Sequence, residues 1–300
     1  MGGCRPGGTA IAALTVLTVL GTVLGLVMAP PPAAADQDGG VYVALGDSFA
    51  AGPLIPAQTT LTCLRSDRNY PQVLARRLQV RVFRDVSCDG AGTPDMTSPQ
   101  HRSLLGLTLP DAPPQFDALS ADTTLVTLTI GGGDTGLVGV AQNCLNLLPE
   151  PWGKPCVERY TQGGTDQVAA RIEAFGPKLG TVLDQIHIRA PQARVVVTGY
   201  GTYIRQGGCW PRQPFLAQDA DFLQGSVARL NRVIAEQAAG HGAGYVDLAT
   251  PGIGHDSCGA PGTKWLEGVV PTAIAAPLHP NALGMANFAR IIGDRIQAES

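Results

Sequence analysis

Short apolar runs rich in β-branched residues alternate with longer amphipathic stretches along this chain. The runs are typical of buried strands in a parallel sheet, and we predict strands over Val41–Leu45, Val80–Val86, Thr124–Ile130, Arg194–Thr198 and Gly244–Leu248. The amphipathic stretches predict helices over Asn69–Gln79, Asp134–Leu147, Thr165–Ala190 (with Pro177 as a candidate bend), Ala217–Ala239 and Leu283–Ala298. This alternation of strands and helices predicts an α/β fold with a parallel sheet.

Three segments rich in proline and glycine, at 94–114, 149–164 and 251–277, interrupt this pattern. We expect them to be loops over the carboxyl edge of the sheet, where open α/β sheets hold their ligands. The sequence shows neither an internal repeat nor a linker after residue 36. It therefore predicts a single domain over residues 36–300.

The first 35 residues differ from the rest of the chain. Arg5 precedes the almost entirely apolar stretch Ala10–Ala29, which leads through three prolines to Ala33-Ala34-Ala35. This pattern predicts a secretory signal peptide over residues 1–35, cleaved before Asp36, and a secreted or cell-envelope protein without a stable membrane span. The alternative is an uncleaved anchor, because twenty apolar residues are long enough to cross a bilayer.

The cysteine count agrees with export. Of 7 cysteines, Cys4 lies in the predicted signal peptide, so an even number remains in the mature chain. An even number of cysteines in an exported protein predicts disulfides, and we predict sequential pairing: Cys63–Cys88, Cys144–Cys156 and Cys209–Cys258. No CxxC spacing occurs, so the sequence does not predict a metal site.

The charge balance bears on the partners. A formal net charge of −3 does not provide the basic patch that nucleic-acid binding requires. We therefore expect no nucleic-acid partner, and we expect a monomer that acts on a small molecule or a lipid.

Candidate chemistry follows the first three predicted strands. Gly46-Asp47-Ser48 ends the first strand, Gly90 follows the second, and Gly131-Gly132-Gly133-Asp134 follows the third. The carboxyl ends of parallel strands meet at one edge, where Ser48 is a candidate nucleophile and the glycines let backbone N–H groups approach an oxyanion. Taken alone, Ser48 could equally be an ordinary helix cap and the glycines ordinary turn residues.

A candidate base lies near the other end of the chain. His279 stands in His279-Pro280-Asn281, immediately before the last predicted helix, in a setting that suits a general base. His255 is a competitor because it also lies in a predicted loop and precedes Asp256. We expect Asp47 to bond nearby backbone and Asp134 to cap its helix.

The order of these motifs resembles that of the SGNH (GDSL) hydrolases, over essentially the whole mature chain. The closest resemblance is to secreted actinobacterial esterases and lipases with three disulfides. It implies a flavodoxin-like three-layer αβα sandwich with a five-stranded parallel sheet of order 2-1-3-4-5. It also implies ester hydrolysis through an acyl-serine intermediate, without metal or cofactor.

The resemblance assigns Ser48 as the nucleophile and His279 as the base, with the backbone N–H groups of Ser48 and Gly90 as oxyanion donors. Two positions depart from the family pattern. Gly133 replaces the asparagine that donates to the oxyanion, so we expect a water or the Gly133 N–H to substitute. Ala276 replaces the aspartate that orients the histidine, so we expect the Ala276 carbonyl to orient it, with Asp256 as an alternative.

These observations predict a secreted serine esterase or lipase that hydrolyses carboxylic esters. One alternative is an SGNH-fold binding protein with weakened catalysis, which the replacement at Gly133 suggests. The others are a carbohydrate acetylesterase and a thioesterase that use the same site. An α/β-hydrolase fold is excluded because Ala50 occupies the last glycine of Gly-x-Ser-x-Gly and the serine follows the first strand. Trp265 is a candidate pocket residue, with loop packing as the equal alternative.

Overall fold

A five-stranded parallel sheet forms the centre of the protein in the computed structural model, which describes residues 1–2, 40–104 and 106–298. In chain order the strands are β1 (Val41–Gly46), β2 (Gln58–Thr60), β3 (Arg65–Ser66), β4 (Val82–Asp85), β5 (Gln100–Leu104), β6 (Leu107–Ala112), β7 (Leu125–Thr129), β8 (Arg194–Thr198) and β9 (Gly244–Val246). The central sheet has the order β4-β1-β7-β8-β9, with every neighbouring pair parallel. All five predicted strands are present, and the predicted order is confirmed.

Helices flank this sheet, as the α/β prediction requires. In chain order they are α1 (Ser48–Ala51), α2 (Tyr70–Leu78), α3 (Gly132–Thr135), α4 (Leu137–Asn143), α5 (Val157–Tyr160), α6 (Gln167–Arg189), α7 (Ala217–Gly240) and α8 (Ala282–Ala298). Helix α2 packs against α8, and α6 packs along α7. Helix α6 continues through Pro177 as a single element.

The helix predicted over Asp134–Leu147 is wrong as a single element. The chain turns at Gly136, whose φ of 66° is left-handed, and this residue separates α3 from α4. Glycine adopts this conformation at no steric cost, which explains the break. Helix α4 then ends at Asn143 rather than Leu147.

Two antiparallel hairpins were not predicted. Strands β2 and β3 pair in one, and β5 and β6 pair in the other. The second hairpin lies inside segment 94–114, which the sequence analysis treats as a loop. Its strands are short and mostly solvent-exposed, so they lack the apolar alternation by which strands are recognised.

Strand β1 is buried along its whole length because it lies between β4 and β7. Buried hydroxyl groups next to this strand form hydrogen bonds with one another. Tyr70 Oη lies 2.8 Å from Thr129 Oγ1, which lies 2.6 Å from Thr198 Oγ1. Buried hydroxyls are costly unless they are paired, so these contacts allow polar side chains inside the core.

Side-chain caps mark where two of the helices, α2 and α6, begin. Asn69 Oδ1 accepts a hydrogen bond from the Gln72 N–H at 2.9 Å and so caps α2, as predicted. Asp166 caps α6 in the same way by accepting from the N–H groups of Val168 and Ala169.

Three disulfides are formed, with the predicted pairing: Cys63–Cys88, Cys144–Cys156 and Cys209–Cys258. Each holds a segment that lacks extensive secondary structure. The first lies next to Gly90, the second closes the loop after α4, and the third joins two loops on the carboxyl side of the sheet. A bridge of this kind typically stabilises the folded state by about 2–4 kcal/mol.

The described residues from Gly40 onward belong to one compact unit. The predicted signal peptide, its cleavage site before Asp36 and the alternative anchor Ala10–Ala29 lie outside the described residues. In the ranges that the structure describes, no helix combines the length and the apolar character needed to cross a membrane.

Candidate active site

Ser48 and His279 are in direct contact although 231 positions separate them in the sequence. The distance from Ser48 Oγ to His279 Nε2 is 2.7 Å. Ser48 is the first residue of α1, and the preceding turn is fixed because the Asp47 N–H donates to the Thr129 carbonyl at 2.8 Å. The hydroxyl therefore lies at the carboxyl end of β1, an interior strand of the sheet, within reach of an imidazole acceptor.

His279 lies in a segment that doubles back on itself before α8. The Glu267 N–H donates to the His279 carbonyl at 2.9 Å, and the Leu278 N–H donates to the Gly268 carbonyl at 3.1 Å. Leu278 has a φ of 61°, a conformation that branched apolar residues rarely adopt, so the chain bends sharply just before the histidine.

The predicted role of the Ala276 carbonyl is wrong. His279 Nδ1 lies 2.8 Å from the Pro277 carbonyl oxygen, whereas the Ala276 carbonyl accepts the backbone N–H of His279 at 3.2 Å. The tight turn explains the difference, because it commits the Ala276 carbonyl to the backbone and leaves the next carbonyl facing the ring. A proton on Nδ1 leaves Nε2 unprotonated and facing Ser48, as a general base requires.

The two alternatives considered for this site lie elsewhere. Asp256 is buried and pairs with Arg205 at 3.1 Å, so it does not orient His279. His255 stacks on Trp265 with 4.3 Å between ring centroids, and its Nδ1 lies 2.7 Å from the Thr263 carbonyl oxygen. Trp265 is buried between His255 and Phe288, so loop packing is the correct interpretation of this residue.

Burial controls the protonation of the candidate base. Desolvation of the buried His279 ring lowers its pKa below the ordinary value of 6.5, although the Pro277 carbonyl and the nearby Asp89 carboxylate act to raise it. The imidazole is therefore predominantly neutral near pH 7, which is the state that can accept a proton from Ser48.

A buried ion pair supports the His279 segment, and the sequence analysis did not identify it. Lys264 Nζ lies 3.2 Å from Glu267 Oε2, and both side chains are almost fully buried. Asn281 Nδ2 donates to Glu267 Oε1 at 2.7 Å and to the Lys264 carbonyl at 2.8 Å. Asn281 also accepts the Gly284 N–H and so caps α8, which ties the ion pair to the start of that helix.

Three backbone N–H groups are available beside the Ser48 hydroxyl. Ser48, Gly90 and Gly133 all line the same pocket, and among the described residues none of their N–H groups donates a hydrogen bond. Unpaired N–H groups at a pocket wall can bind a developing oxyanion. These are the residues that the sequence analysis names as backbone donors, and their binding of an oxyanion stays a prediction.

Strand β5 holds the Gly90 loop in place, a role that the sequence did not reveal. The Arg102 guanidinium donates to the Asp89 carbonyl and lies 3.0 Å from the Asp89 carboxylate. Gln100 Nε2 donates to the same carbonyl at 2.9 Å. Asp89, the residue before Gly90, is therefore held through both its backbone carbonyl and its side-chain carboxylate.

Gly133 is required by a close contact. A Cβ atom at this position would lie 2.8 Å from the Ala91 carbonyl oxygen, so this backbone arrangement cannot accept the asparagine that the family pattern places here. The prediction that Asp134 caps its own helix is wrong. Its carboxylate instead accepts hydrogen bonds from the N–H and the hydroxyl of Thr93. Together these contacts hold the Gly90 and Gly133 turns against each other.

The Tyr200 side chain connects the turn before Ser48 with the turn at Gly132, a contact that the sequence did not predict. Its hydroxyl donates to Asp47 Oδ2 and accepts the Gly132 N–H at 2.7 Å. Asp47 also accepts the Phe49 N–H at 2.9 Å, which matches its predicted bond to nearby backbone. Burial raises the pKa of Asp47 to about 7, although the hydrogen bonds from Tyr200 and Phe49 act to lower it.

A cavity of about 280 Å³ opens beside Ser48 and His279. Apart from the polar groups at the catalytic end, its walls are mainly apolar, and they come from α1, α4, α7, the segment after β8 and the His279 loop. The apolar lining residues are Phe49, Leu137, Val138, Ala141, Ile204, Phe215, Leu223, Val227 and Leu278. Such a pocket fits a hydrocarbon chain attached to a reacting carbonyl group.

A serine hydroxyl against a neutral imidazole, with unpaired backbone donors at one end of an apolar cavity, is an arrangement typical of serine hydrolases. Residues 44–286 match the GDSL-like lipase/acylhydrolase family, and the chain belongs to this family. It is accordingly a carboxylic ester hydrolase with an SGNH fold.

Similar proteins agree with this assignment. The chain is 37% identical over 297 residues to Lipase 2 of Streptomyces coelicolor, covering 95% of this chain and 96% of the relative. The solved phospholipase A1 of Streptomyces albidoflavus superposes with a TM-score of 0.69 at 30% identity, covering 85% of this chain and 99% of that one. An extracellular lipase from Streptomyces rimosus superposes with a TM-score of 0.66 at 26% identity, with the same coverage of both chains.

Proposed function

We propose that this ester hydrolase works through an acyl-Ser48 intermediate with His279 as the general base. The observation that carries the proposal is the 2.7 Å contact between Ser48 Oγ and His279 Nε2 at the end of an apolar cavity. In the first step the Ser48 oxygen attacks the ester carbonyl carbon while its proton passes to Nε2.

The resulting tetrahedral oxyanion accepts hydrogen bonds from the N–H groups of Ser48, Gly90 and Gly133. When it collapses, the carbonyl forms again, the bond to the leaving alkoxide breaks, and Nε2 gives its proton to that oxygen. A water molecule then loses a proton to Nε2 and attacks the acyl carbon. When this second tetrahedral intermediate collapses, the bond to Ser48 Oγ breaks and Nε2 returns its proton to that oxygen, which releases the carboxylic acid and restores Ser48. The Pro277 carbonyl stabilises the imidazolium less than a carboxylate would.

The apolar walls of the cavity support a lipid or other acyl ester as the substrate. They offer few polar groups for the hydroxyls of a sugar, so they favour this substrate over an acetylated carbohydrate. A series of p-nitrophenyl esters from acetyl to palmitoyl measures the preference. We expect kcat/KM to rise from acetyl towards medium chains as more of the cavity is filled.

We also propose that residues 1–35 direct export and that residues 36–300 act outside the cell or in its envelope as one domain. Six paired cysteines support an oxidising location. The similar structure from Streptomyces rimosus is described as an extracellular lipase, which agrees with this location.

Labelling with a fluorophosphonate probe tests the assignment of the nucleophile. We expect the native chain to be labelled, whereas Ser48→Ala loses both label and esterase activity, with kcat reduced on the order of 10⁴-fold or more. His279→Ala should have an effect of similar size, because the hydroxyl loses its base. Ser257→Ala is the matched control, since Ser257 also lines the pocket, and it should still be labelled. Retained label in Ser48→Ala would refute the proposal.

A further inference from the structure

Two loops beside the pocket expose an unusual concentration of large apolar side chains. We call this set the apolar loop surface; it consists of Leu145, Leu147, Leu148, Trp152 and Trp210. Leu147 is 82% exposed and Trp152 is 72% exposed. Exposed apolar residues that occur singly need no explanation, but a group of this size within two neighbouring loops indicates an interaction surface.

The two loops are fixed, so these side chains stay at the surface. Cys144–Cys156 closes the first loop and Cys209–Cys258 holds the second. The loops also bond each other, because the Trp210 indole N–H donates to the Asn146 carbonyl at 3.1 Å and the Asn146 N–H donates to the Pro214 carbonyl at 2.7 Å. With its N–H satisfied, the Trp210 ring presents an apolar face.

The apolar loop surface is continuous with the rim of the pocket. Helix α4 contributes Val138 and Ala141 to the pocket wall and leads directly into the first loop. Val138 is itself 39% exposed while lining the cavity, so it lies at the rim. On the second loop, Phe215 lines the cavity next to Pro214. Whatever covers this surface therefore lies against the pocket opening.

The charge of the surface restricts what covers it. Residues 145–153 include a single charged side chain, Glu150, and residues 206–214 around Trp210 include a single one, Arg212. With one charge of each sign, the surface offers little to a charged polymer or an anionic headgroup. A second copy of this chain would lie across Val138 and obstruct the route to Ser48. A zwitterionic lipid surface meets both conditions, because it accepts leucine and tryptophan side chains and presents acyl esters to the pocket.

We propose that the apolar loop surface docks the protein onto zwitterionic phospholipid bilayers, with the pocket opening facing the lipid. This inference rests on the proposed function in one respect: docking supplies ester substrate only if the site hydrolyses esters. The docking itself requires no catalysis, so the two proposals can fail separately.

Co-sedimentation with phosphatidylcholine vesicles tests the docking. Ser48→Ala serves as the parent protein, because it leaves the lipid intact. We expect it to bind, and we expect the added substitutions Leu147→Ser, Leu148→Ser and Trp152→Ser to lower the partition coefficient on the order of 100-fold, since each large side chain contributes several-fold. Binding should persist at high salt because the two loops carry one charge of each sign, Glu150 and Arg212. Ile188→Ser is the matched control: Ile188 is 68% exposed on α6, and binding should not change.

A second pair of measurements keeps the test independent of folding defects. In the native chain, vesicles should shift tryptophan emission to the blue, because Trp152 and Trp210 enter an apolar environment. When the three substitutions are made in the active enzyme, with Ser48 retained, the triple variant should lose activity on vesicle esters while its kcat/KM for a dissolved p-nitrophenyl ester is unchanged. The proposal would be overturned if the triple variant bound vesicles as well as its parent does, or if vesicles caused no emission shift. It would also be overturned if gel filtration showed that the parent is an oligomer and that the triple variant is not.

Discussion

The two halves of the candidate site are held by different kinds of structure. Ser48 follows a six-residue interior strand of the sheet, and hydrogen bonds to Thr129 and Gln115 fix the turn before it. His279 lies near the end of the long segment from Ile253 to Pro280, and this segment contributes no strand to the central sheet. The comparison teaches that regular backbone pairing positions the nucleophile, whereas buried side chains position the base.

This difference predicts where the site is vulnerable. Strand pairing distributes the positioning of Ser48 over many backbone bonds, and the Gln115 side chain adds two hydrogen bonds to the Gly46 backbone, so no single bond carries it. The His279 segment instead depends on a few contacts around Glu267, whose carboxylate accepts from Lys264, Asn281 and the Thr272 N–H. Burial acts to raise the pKa of Glu267, but these hydrogen bonds outweigh it and hold the pKa below its ordinary value.

The largest expected effect comes from Glu267→Gln. The substitution leaves the Lys264 ammonium buried without a counter-charge, so we expect the free energy of unfolding to fall by about 3–5 kcal/mol. We also expect kcat to fall, because the segment that carries His279 loosens. Urea unfolding and turnover of a p-nitrophenyl ester measure the two effects.

Tyr70→Phe is the matched change on the nucleophile side. It removes a buried hydroxyl that bonds Thr129, at the strand end beside the Ser48 turn, so we expect a loss of about 1 kcal/mol and little change in kcat. A larger fall in kcat for Tyr70→Phe than for Glu267→Gln would contradict the comparison. Adding Lys264→Met to Glu267→Gln should recover part of the lost stability, because it removes the unpaired charge.

A smaller effect is expected from Gly133→Asn, which restores the family residue. Its Cβ would meet the Ala91 carbonyl, so we expect a loss of about 1–3 kcal/mol in stability and a lower kcat as the Gly90 and Gly133 turns separate. Thermal unfolding and ester turnover measure this. Gly225→Asn on α7 is the control, because no atom lies within 4 Å of a Cβ there. Increased activity in Gly133→Asn would show that the missing side-chain donor limits the enzyme.

The smallest effect concerns pH and links the two halves. Asp89 lies in the loop on the nucleophile side, and its carboxylate acts to raise the pKa of His279. Asp89→Asn removes that charge, so the His279 pKa should fall further and the acid limb of the pH profile of kcat/KM should move to lower pH. Arg102 should stay in place through its bond to the Thr62 carbonyl.

The native profile should already have its acid midpoint below 6.5, because burial favours the neutral ring. Glu236→Gln, at an exposed position on α7, controls for loss of a negative charge elsewhere and should leave the midpoint unchanged. A shift of the Asp89→Asn midpoint to higher pH would contradict the assignment of His279 as the titrating base.

Prediction from the sequence succeeded where the signal is local. The five strands, their order and the positions of Ser48 and His279 followed from apolar runs, turn residues and a family resemblance. Prediction failed where a backbone turn changes the direction of the chain. The left-handed Gly136 divides one predicted helix into two, and the turn before His279 places the Pro277 carbonyl, rather than the Ala276 carbonyl, against His279 Nδ1. The exposed hairpin of β5 and β6 gave no periodic signal, so its role in holding the Gly90 loop was missed.

The sequence by itself determined the α/β architecture and the candidate catalytic residues, because burial periodicity and turn chemistry are properties of short stretches of chain. Only the tertiary structure decided what holds those residues in place. Tyr200 reaches Asp47 across 153 positions, and the buried pair Lys264–Glu267 looks like an ordinary surface pair when read in sequence. The physical reason is that a buried polar group needs a partner in space, and nothing in its own sequence neighbourhood specifies which one.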